Sequence, residues 1–130
     1  MPRVIVTGSR RWPASRAAEI ERELAALPGW PGEWIVVHGA ARGAAGEPGA
    51  DLIAAHFALF TGARTEPHPA DWSRGLRAGP ERNARMVAAG ADVVLAFPLP
   101  GSRGTWSSVR LALAGGLVVR VLGDGAKGGR

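Results

Sequence analysis

Residues 92 to 106 read DVVLAFPLPGSRGTW, and a stretch with helical spacing continues from there to Ala114. The first six residues are nearly all apolar, which is typical of a strand buried on both faces of a sheet. The segment GSRGT (101 to 105) then places two glycines, two hydroxyls and an arginine between strand and helix. A simple connection needs one capping residue and one glycine, so this loop carries more polar groups than its turn requires.

The same order of strand and helix repeats along the chain. Further apolar, β-branched runs occupy 3–8, 34–39 and 117–122, with a weaker one at 63–68. The spacing of apolar residues predicts helices over 14–27, 50–60, 80–89 and 106–114. This alternation predicts an α/β fold, a three-layer sandwich around a mainly parallel sheet of about five strands with right-handed crossovers. Ligands of such folds bind at the carboxyl ends of the strands.

Length and composition set the class of protein. A chain of 130 residues with 46% hydrophobic content suits a single domain. We predict that this domain spans 1–122 and that 123–130 (GDGAKGGR) form a flexible tail. The absence of cysteine excludes disulfides, thiolate nucleophiles and Cys-ligated zinc. With no signal peptide and no apolar run near the roughly 20 residues that cross a bilayer, we expect a cytoplasmic protein without membrane contacts.

The basic side chains are almost exclusively arginine. Fifteen arginines and one lysine give a net charge of +5. Guanidinium groups bind phosphates in a bidentate manner, so the bias favours phosphorylated ligands or nucleic acid. A GC-rich coding bias explains the same composition equally well. Because the arginines are dispersed and form no basic tail, nucleic acid is the less favoured partner.

The expected strand exits contain four motifs that can bind an anion. Glycine permits a close approach of the ligand, helix N-termini offer free N–H groups, and arginine supplies charge. The candidate ligand-binding residues are Gly8, Ser9 and Arg10, then Gly39, Arg42 and Gly43, then Arg82 and Asn83, and finally Gly101, Ser102, Gly104 and Thr105. Ordinary turns, helix caps and a solvated helix face remain the alternative explanation of each motif.

Other residues carry weaker signals. Trp12 and Trp72 can either stack on a base or pack in the core, and Asp71 can either act as an acid or base or cap a helix. The spacing of the histidines predicts no metal site, and we expect His56 to be a core residue because its helix is apolar. The small and turn-forming residues of segment 44–50 (AAGEPGA) indicate either an insertion or a mobile flap.

Taken together, VTGSRRW, HGAARG, HPADW, AGPERNARMV, GADVVLAFP and GSRGT resemble the YspA-like branch of the SLOG superfamily. This superfamily also contains the LOG phosphoribohydrolases and the core of DNA-processing protein A. The resemblance runs from Val4 to about Val121 and implies a Rossmann-like domain that binds nucleotides at its strand ends. Asp51 matches an aspartate that usually follows ARGA directly, but here AAGEPGA intervenes, so its assignment stays open.

The sequence lacks one catalytic residue of the LOG hydrolases. LOG hydrolases have a glutamate shortly after the GT turn that helps to cleave the N-glycosidic bond, whereas here Trp106 follows Thr105. We therefore expect binding of a nucleotide or nucleotide-derived ligand, without cofactor or metal. A LOG-like hydrolase that uses Asp71 or Glu81 and a single-stranded DNA-binding protein are the alternatives. Trp30, Trp34 and Trp106 exceed what a small core hides, which predicts a homo-oligomer, a dimer or higher.

Overall fold

The computed structural model describes residues 1–124 and contains one five-stranded sheet. The strands lie in the order β3-β2-β1-β4-β5, and all neighbours are parallel. Their bounds are β1 Arg3–Gly8, β2 Ile35–His38, β3 Arg64–Pro67, β4 Val93–Phe97 and β5 Val119–Val121. This architecture confirms the predicted α/β class, the strand number and the parallel pairing.

Four α-helices connect the strands. They are α1 Ala17–Ala25, α2 Ala50–Thr61, α3 Ala78–Ala88 and α4 Arg103–Ala114, with short 3-10 helices at Ala14–Arg16 and Trp72–Arg77. Helix α4 begins three residues earlier than the sequence predicts. Ser102 closes the preceding turn, because its N–H donates to the carbonyl of Leu99 at 3.0 Å and its Oγ accepts from Leu99 N at 2.9 Å. Arg103, Gly104 and Thr105 consequently belong to the first helical turn and not to the loop.

The core has two halves, one on each face of the sheet. Val4 and Val6 of β1 point to the face covered by α1 and α2, where Ile20, Leu24 and Ala54 are also buried. Ile5 belongs to the smaller half with Val37, Val94, Met86 of α3 and Ala112 of α4. The period-two alternation of the strands therefore sends successive side chains into different halves of the core. Helices on both faces give the predicted three layers.

The strand order reverses next to β1. The chain runs outward from β1 through β2 to β3 and then crosses to β4 on the other side of β1. Because consecutive connections leave β1 in opposite directions, the loops that follow β1 and β4 diverge and leave a crevice at their carboxyl ends. The fold thus positions a site between the turn after Gly8 and the turn after Phe97.

The structure settles the alternative left open for Trp12 and shows that the expectation for His56 is wrong. Trp12 is fully buried, lies edge-on to Phe97 with 5.7 Å between ring centroids, and donates from Nε1 to the carbonyl of Arg16. It packs in the core, so it cannot stack on a ligand base. His56 is exposed instead of buried, because it lies on the face of α2 that turns away from the sheet.

Trp34 is buried and donates to the carbonyl of Pro28, which weakens the argument for self-association.

Residues 44–50 are hydrogen bonded to the segment that follows β1. Ala44 N donates to the carbonyl of Arg10, Gly49 N to that of Trp12, and Ala50 N to that of Ser9, at 2.9 to 3.1 Å. These bonds fix both ends of the stretch, so it is not an open flap.

The predicted tail is described only in part. Asp124 pairs with Arg16 at 3.2 Å, and Gly123 lies close to the Trp12 ring. Residues 125–130 lie outside the described residues. Within residues 1–124, each helix is too short or too polar to traverse a bilayer.

Candidate ligand-binding cleft

A cleft of about 540 Å³ opens at the carboxyl ends of β1 and β4. Three segments far apart in sequence form most of its wall: the turn after β1, the start of α3 and the start of α4. Ten of the twelve predicted binding residues line it, namely Gly8, Ser9, Arg10, Gly39, Arg82, Asn83, Gly101, Ser102, Gly104 and Thr105. The structure therefore brings the GSRGT turn and Arg82 to the same cleft.

The other two predicted residues lie outside this lining. Arg42 is exposed, and its contribution is a carbonyl that accepts a hydrogen bond from Arg10 Nε at 2.8 Å. Gly43 is needed for local packing, because a Cβ at this position would overlap the carbonyl oxygen of Glu47. The segment 44–50 that follows them is hydrogen bonded to the turn after β1. Arg42 and Gly43 thus lie next to the lining residues Ala41 and Ala44, and their contact with a ligand stays a prediction.

Arg82 is held across the cleft wall by backbone carbonyls. Its Nη1 donates to the carbonyl of Gly39 and, at 3.4 Å, to that of His68, while Nε donates to Asn83 Oδ1 at 2.7 Å. The guanidinium lies directly on Gly39, where a Cβ would be 2.5 Å from Nη1. Partial burial lowers the pKa of Arg82 from its ordinary value. These contacts orient the side chain without neutralising its charge.

Asp51 is the acid that lines the cleft. It is buried near the start of α2, and its Oδ2 accepts hydrogen bonds from the N–H groups of Gly39 and Ala41, both at 3.1 Å. Burial raises the pKa of this carboxyl group to about 6, although the two N–H donors and the nearby charge of Arg82 oppose the change. Asp51 therefore shapes the loop after β2. The sequence left its assignment open because AAGEPGA separates it from the ARG motif.

The beginning of α4 offers unpaired hydrogen-bond donors. Within residues 1–124, no backbone carbonyl accepts a hydrogen bond from the N–H of Gly104 or Thr105. Gly101 has a φ of 84°, a conformation that favours glycine and lets the turn reverse direction before the helix. One turn further along, Ser108 is buried and its Oγ has no partner among the described residues. Ser108 also lines the cleft, although no sequence motif pointed to it.

The cleft is cationic. Four arginines line it, and no ion pair connects any of them to an acid among residues 1–124. They are Arg10, Arg11, Arg82 and Arg103. Ser9 Oγ accepts a hydrogen bond from Arg11 N at 3.0 Å, which stabilises the local turn and leaves the hydroxyl proton available to a ligand. Guanidinium groups without an ion pair and helix N–H donors together suit a phosphate.

The two acids suggested for catalysis lie elsewhere. Asp71 caps the 3-10 helix Trp72–Arg77: it accepts from Ser73 N at 3.2 Å and Ser73 Oγ at 2.6 Å, and these bonds lower its pKa. Glu81 pairs with Arg74 at 2.7 Å. Neither residue lines the cleft. Of the two roles considered for Asp71, the structure shows the capping role.

Two of the three histidines are engaged in local contacts. His38 accepts from Ala40 N through Nδ1 at 3.0 Å, and His68 Nε2 contacts Glu66 at 2.7 Å. Over the described part of the chain, no three His, Cys, Asp or Glu side chains cluster closely enough to hold a metal ion. The exposed Trp72, by contrast, remains accessible, although it does not line the cleft.

The comparison of structures agrees with the architecture. DNA processing protein A (DprA) from Streptococcus pneumoniae superposes with a TM-score of 0.75 and 21% identity, over 99% of this chain and 54% of that one. The superposition confirms the predicted Rossmann-like α/β fold. This chain spans about half the length of DprA, and at this identity the likeness shows the fold alone.

The comparison of sequences identifies the family. No family model matches the sequence. The Gene 61 protein of Mycobacterium phage D29 is 42% identical over 132 residues, an alignment that covers 95% of this chain and 98% of the phage protein. Such identity over nearly the full length of both proteins shows common descent. The chain belongs to the family of the Gene 61 protein of Mycobacterium phage D29.

Proposed function

We propose that this protein binds a nucleotide or nucleotide-derived phosphorylated molecule in the cleft at the carboxyl ends of β1 and β4. The observation that carries the proposal is the convergence of donors. Gly104 and Thr105, whose N–H groups have no acceptor among residues 1–124, line the same cleft as four arginines that form no ion pair within that range. A dianionic phosphate satisfies both kinds of donor at once. The Rossmann-like fold and the resemblance of the motifs to the YspA-like branch of the SLOG superfamily support the same class of ligand, and we place the binding domain at 1–122.

Binding without turnover is the simpler function for this cleft. Cleavage of an N-glycosidic bond needs a carboxylate beside the developing sugar cation. Asp71 and Glu81 lie outside the lining, and Asp51 is buried with its Oδ2 engaged by two backbone N–H groups. Incubation with the four ribonucleoside monophosphates, followed by chromatography for free base, tests this conclusion. If the wild-type protein releases free base and a variant at Asp51 does not, the function is hydrolysis and not binding alone.

Arg82 provides the direct test of the phosphate site. We expect Arg82→Ala to weaken ribonucleoside monophosphate binding by about 1.5 to 3 kcal/mol, because it removes a charge-assisted hydrogen bond to phosphate. Isothermal titration calorimetry measures the dissociation constant. Arg85→Ala is the matched control, since it removes the same charge from an exposed position of α3 outside the cleft. Equal effects of the two substitutions would show that Arg82 acts only through net charge.

Single-stranded DNA is the second candidate ligand. The fold shared with DprA and the cationic cleft favour it, because the same donors can hold a backbone phosphate. A gel shift with oligonucleotides of increasing length, repeated at several salt concentrations, separates the two candidates. Affinity that grows with length and falls steeply with salt would favour DNA. Affinity for mononucleotides that matches the affinity for oligonucleotides would favour the small ligand.

A further inference from the structure

A second cavity lies beside the cleft and has different walls. This groove, of about 810 Å³, is formed by the loop after β4 and one side of α4. Its apolar surface comes mainly from Leu99, Trp106, Val109 and Leu113. The last three are spaced three and four residues apart, so they share one face of the helix. Trp106 is only partly buried and Leu113 is exposed, which leaves an aromatic ring and an aliphatic side chain at the groove surface.

The groove and the cleft share a wall. The turn from Pro100 to Arg103 lines both cavities, with the cleft on one side and the groove on the other. This is the same turn that precedes the free N–H groups of Gly104 and Thr105. A molecule whose phosphate is bound at these donors therefore needs to pass only over this turn to reach Trp106. The two cavities together form one extended site with a polar part and an apolar part.

The charges of the groove indicate what kind of molecule fits it. Arg103 and Arg110 line it, and neither forms an ion pair with an acid among residues 1–124. Asp124, which also lines it, is paired with Arg16 at 3.2 Å. An indole ring with aliphatic neighbours suits a flat aromatic ring, and unpaired guanidinium groups suit an anion attached to it. Nucleobases with their phosphates have both properties.

We propose that the groove is the base subsite of the ligand: the nucleobase packs against Trp106 while its phosphate occupies the cleft on the other side of Arg103. This inference rests on the proposed function and adds the requirement for an aromatic base. It makes Trp106 a specificity-determining residue, because a sugar phosphate that lacks a base gains nothing from the groove.

The test compares ligands with and without a base. Isothermal titration calorimetry measures binding of ribose 5-phosphate and of AMP, GMP, CMP and UMP to the wild-type protein and to Trp106→Ala. We expect at least one nucleotide to bind more tightly than ribose 5-phosphate by about 5- to 150-fold, which corresponds to the range for stacking of one base on an aromatic side chain. Trp106→Ala removes this advantage and leaves ribose 5-phosphate binding unchanged.

Controls separate the base subsite from the phosphate site. Trp72→Ala removes an exposed tryptophan outside both cavities and should change no affinity. If ribose 5-phosphate and all four nucleotides bind equally well, or if Trp106→Ala preserves the preference for a nucleotide, the base subsite is refuted while the proposed function stands. If none of the five compounds binds the wild-type protein, the proposed function itself fails.

Sedimentation velocity tests a different occupant of the groove. A second copy of the chain can cover the same apolar surface, and Leu113 is exposed enough to contribute to such a contact. We expect the sedimentation coefficients of the wild-type protein and Trp106→Ala to be equal. A shift to a smaller species in Trp106→Ala, without a change in nucleotide affinity, would show that the groove is an interface between copies and would overturn the base subsite.

Discussion

Replacing Gly39 by alanine should displace Arg82 without removing its charge. A Cβ at Gly39 would lie 2.5 Å from Arg82 Nη1, 2.8 Å from Cζ and 3.1 Å from Nε, so the guanidinium must move away. The backbone of Gly39 is not in the left-handed region, so alanine itself adds no strain there. Lost hydrogen bonds from Arg82 cost about 0.5 to 1.5 kcal/mol, and the reduced entropy of the unfolded chain offsets about 0.4 to 1 kcal/mol of this. We therefore expect a change of less than about 1 kcal/mol in the free energy of unfolding.

The effect on ligand binding should be larger. If Arg82 contributes one charge-assisted hydrogen bond to phosphate, its displacement weakens binding by about 1.5 to 3 kcal/mol, or about 10- to 150-fold in the dissociation constant. Calorimetric titration with the ribonucleoside monophosphates measures this loss, and urea denaturation measures the stability of the same variant.

A double-mutant cycle identifies the route of the effect. In the presence of Arg82→Ala, the space above Gly39 is empty, so Gly39→Ala should cause no further loss of affinity. The coupling energy should then equal the whole effect of Gly39→Ala on the wild-type background. Additive effects of the two substitutions would refute the reasoning, because they would mean that Gly39 acts on the ligand independently of Arg82.

Two further substitutions test buried groups of the cleft. The pKa of Asp51 is raised from 3.8 to about 6, so the folded protein holds the proton more tightly than the unfolded chain, and its stability falls as pH rises between these values. Asp51→Asn keeps an oxygen acceptor for the N–H groups of Gly39 and Ala41 but has no carboxyl group to titrate. The free energy of unfolding of the variant, relative to that of the wild type, should therefore rise by up to about 3 kcal/mol between pH 4 and pH 7. Urea denaturation measures both proteins across this range, and parallel profiles would contradict the reasoning. Ser108→Ala should raise the free energy of unfolding by about 1 kcal/mol, because the hydroxyl is buried and has no partner among residues 1–124. A loss of stability in thermal or urea denaturation would show that Oγ has a partner in the folded protein.

Most of the fold was predictable because buried parallel strands have a distinctive composition. The apolar runs RVIVTG and DVVLAF match β1 and β4 to within one residue. The last strand is shorter than its apolar run, and α4 starts earlier than its periodicity predicts. Both differences arise at ends of elements, where local hydrogen bonds such as those between Ser102 and Leu99 decide the boundary and hydrophobic periodicity carries no information.

The composition of the cleft was harder to predict than its location. Arg42 and Arg82 carry the same chemical signal in the sequence, yet only Arg82 lines the cleft. Arg82 is held there by the carbonyls of Gly39 and His68, which lie far from it in the sequence, whereas the side chain of Arg42 is exposed. Trp12 likewise occupies a strand exit in the sequence, but its ring turns inward against Phe97. The direction of a side chain at a loop depends on contacts with distant segments.

The sequence by itself determined the class of fold and the edge of the sheet that holds the site, since both follow from local alternation of apolar strands, amphipathic helices and glycine turns. Only the tertiary structure decided which polar groups share the cleft. Arg82, Asp51 and the start of α4 come from distant parts of the chain, and packing of three helices against one sheet brings them together. Burial and hydrogen-bond partners depend on these long-range contacts, so the pKa of Asp51 and the unpaired hydroxyl of Ser108 leave no trace in the local sequence.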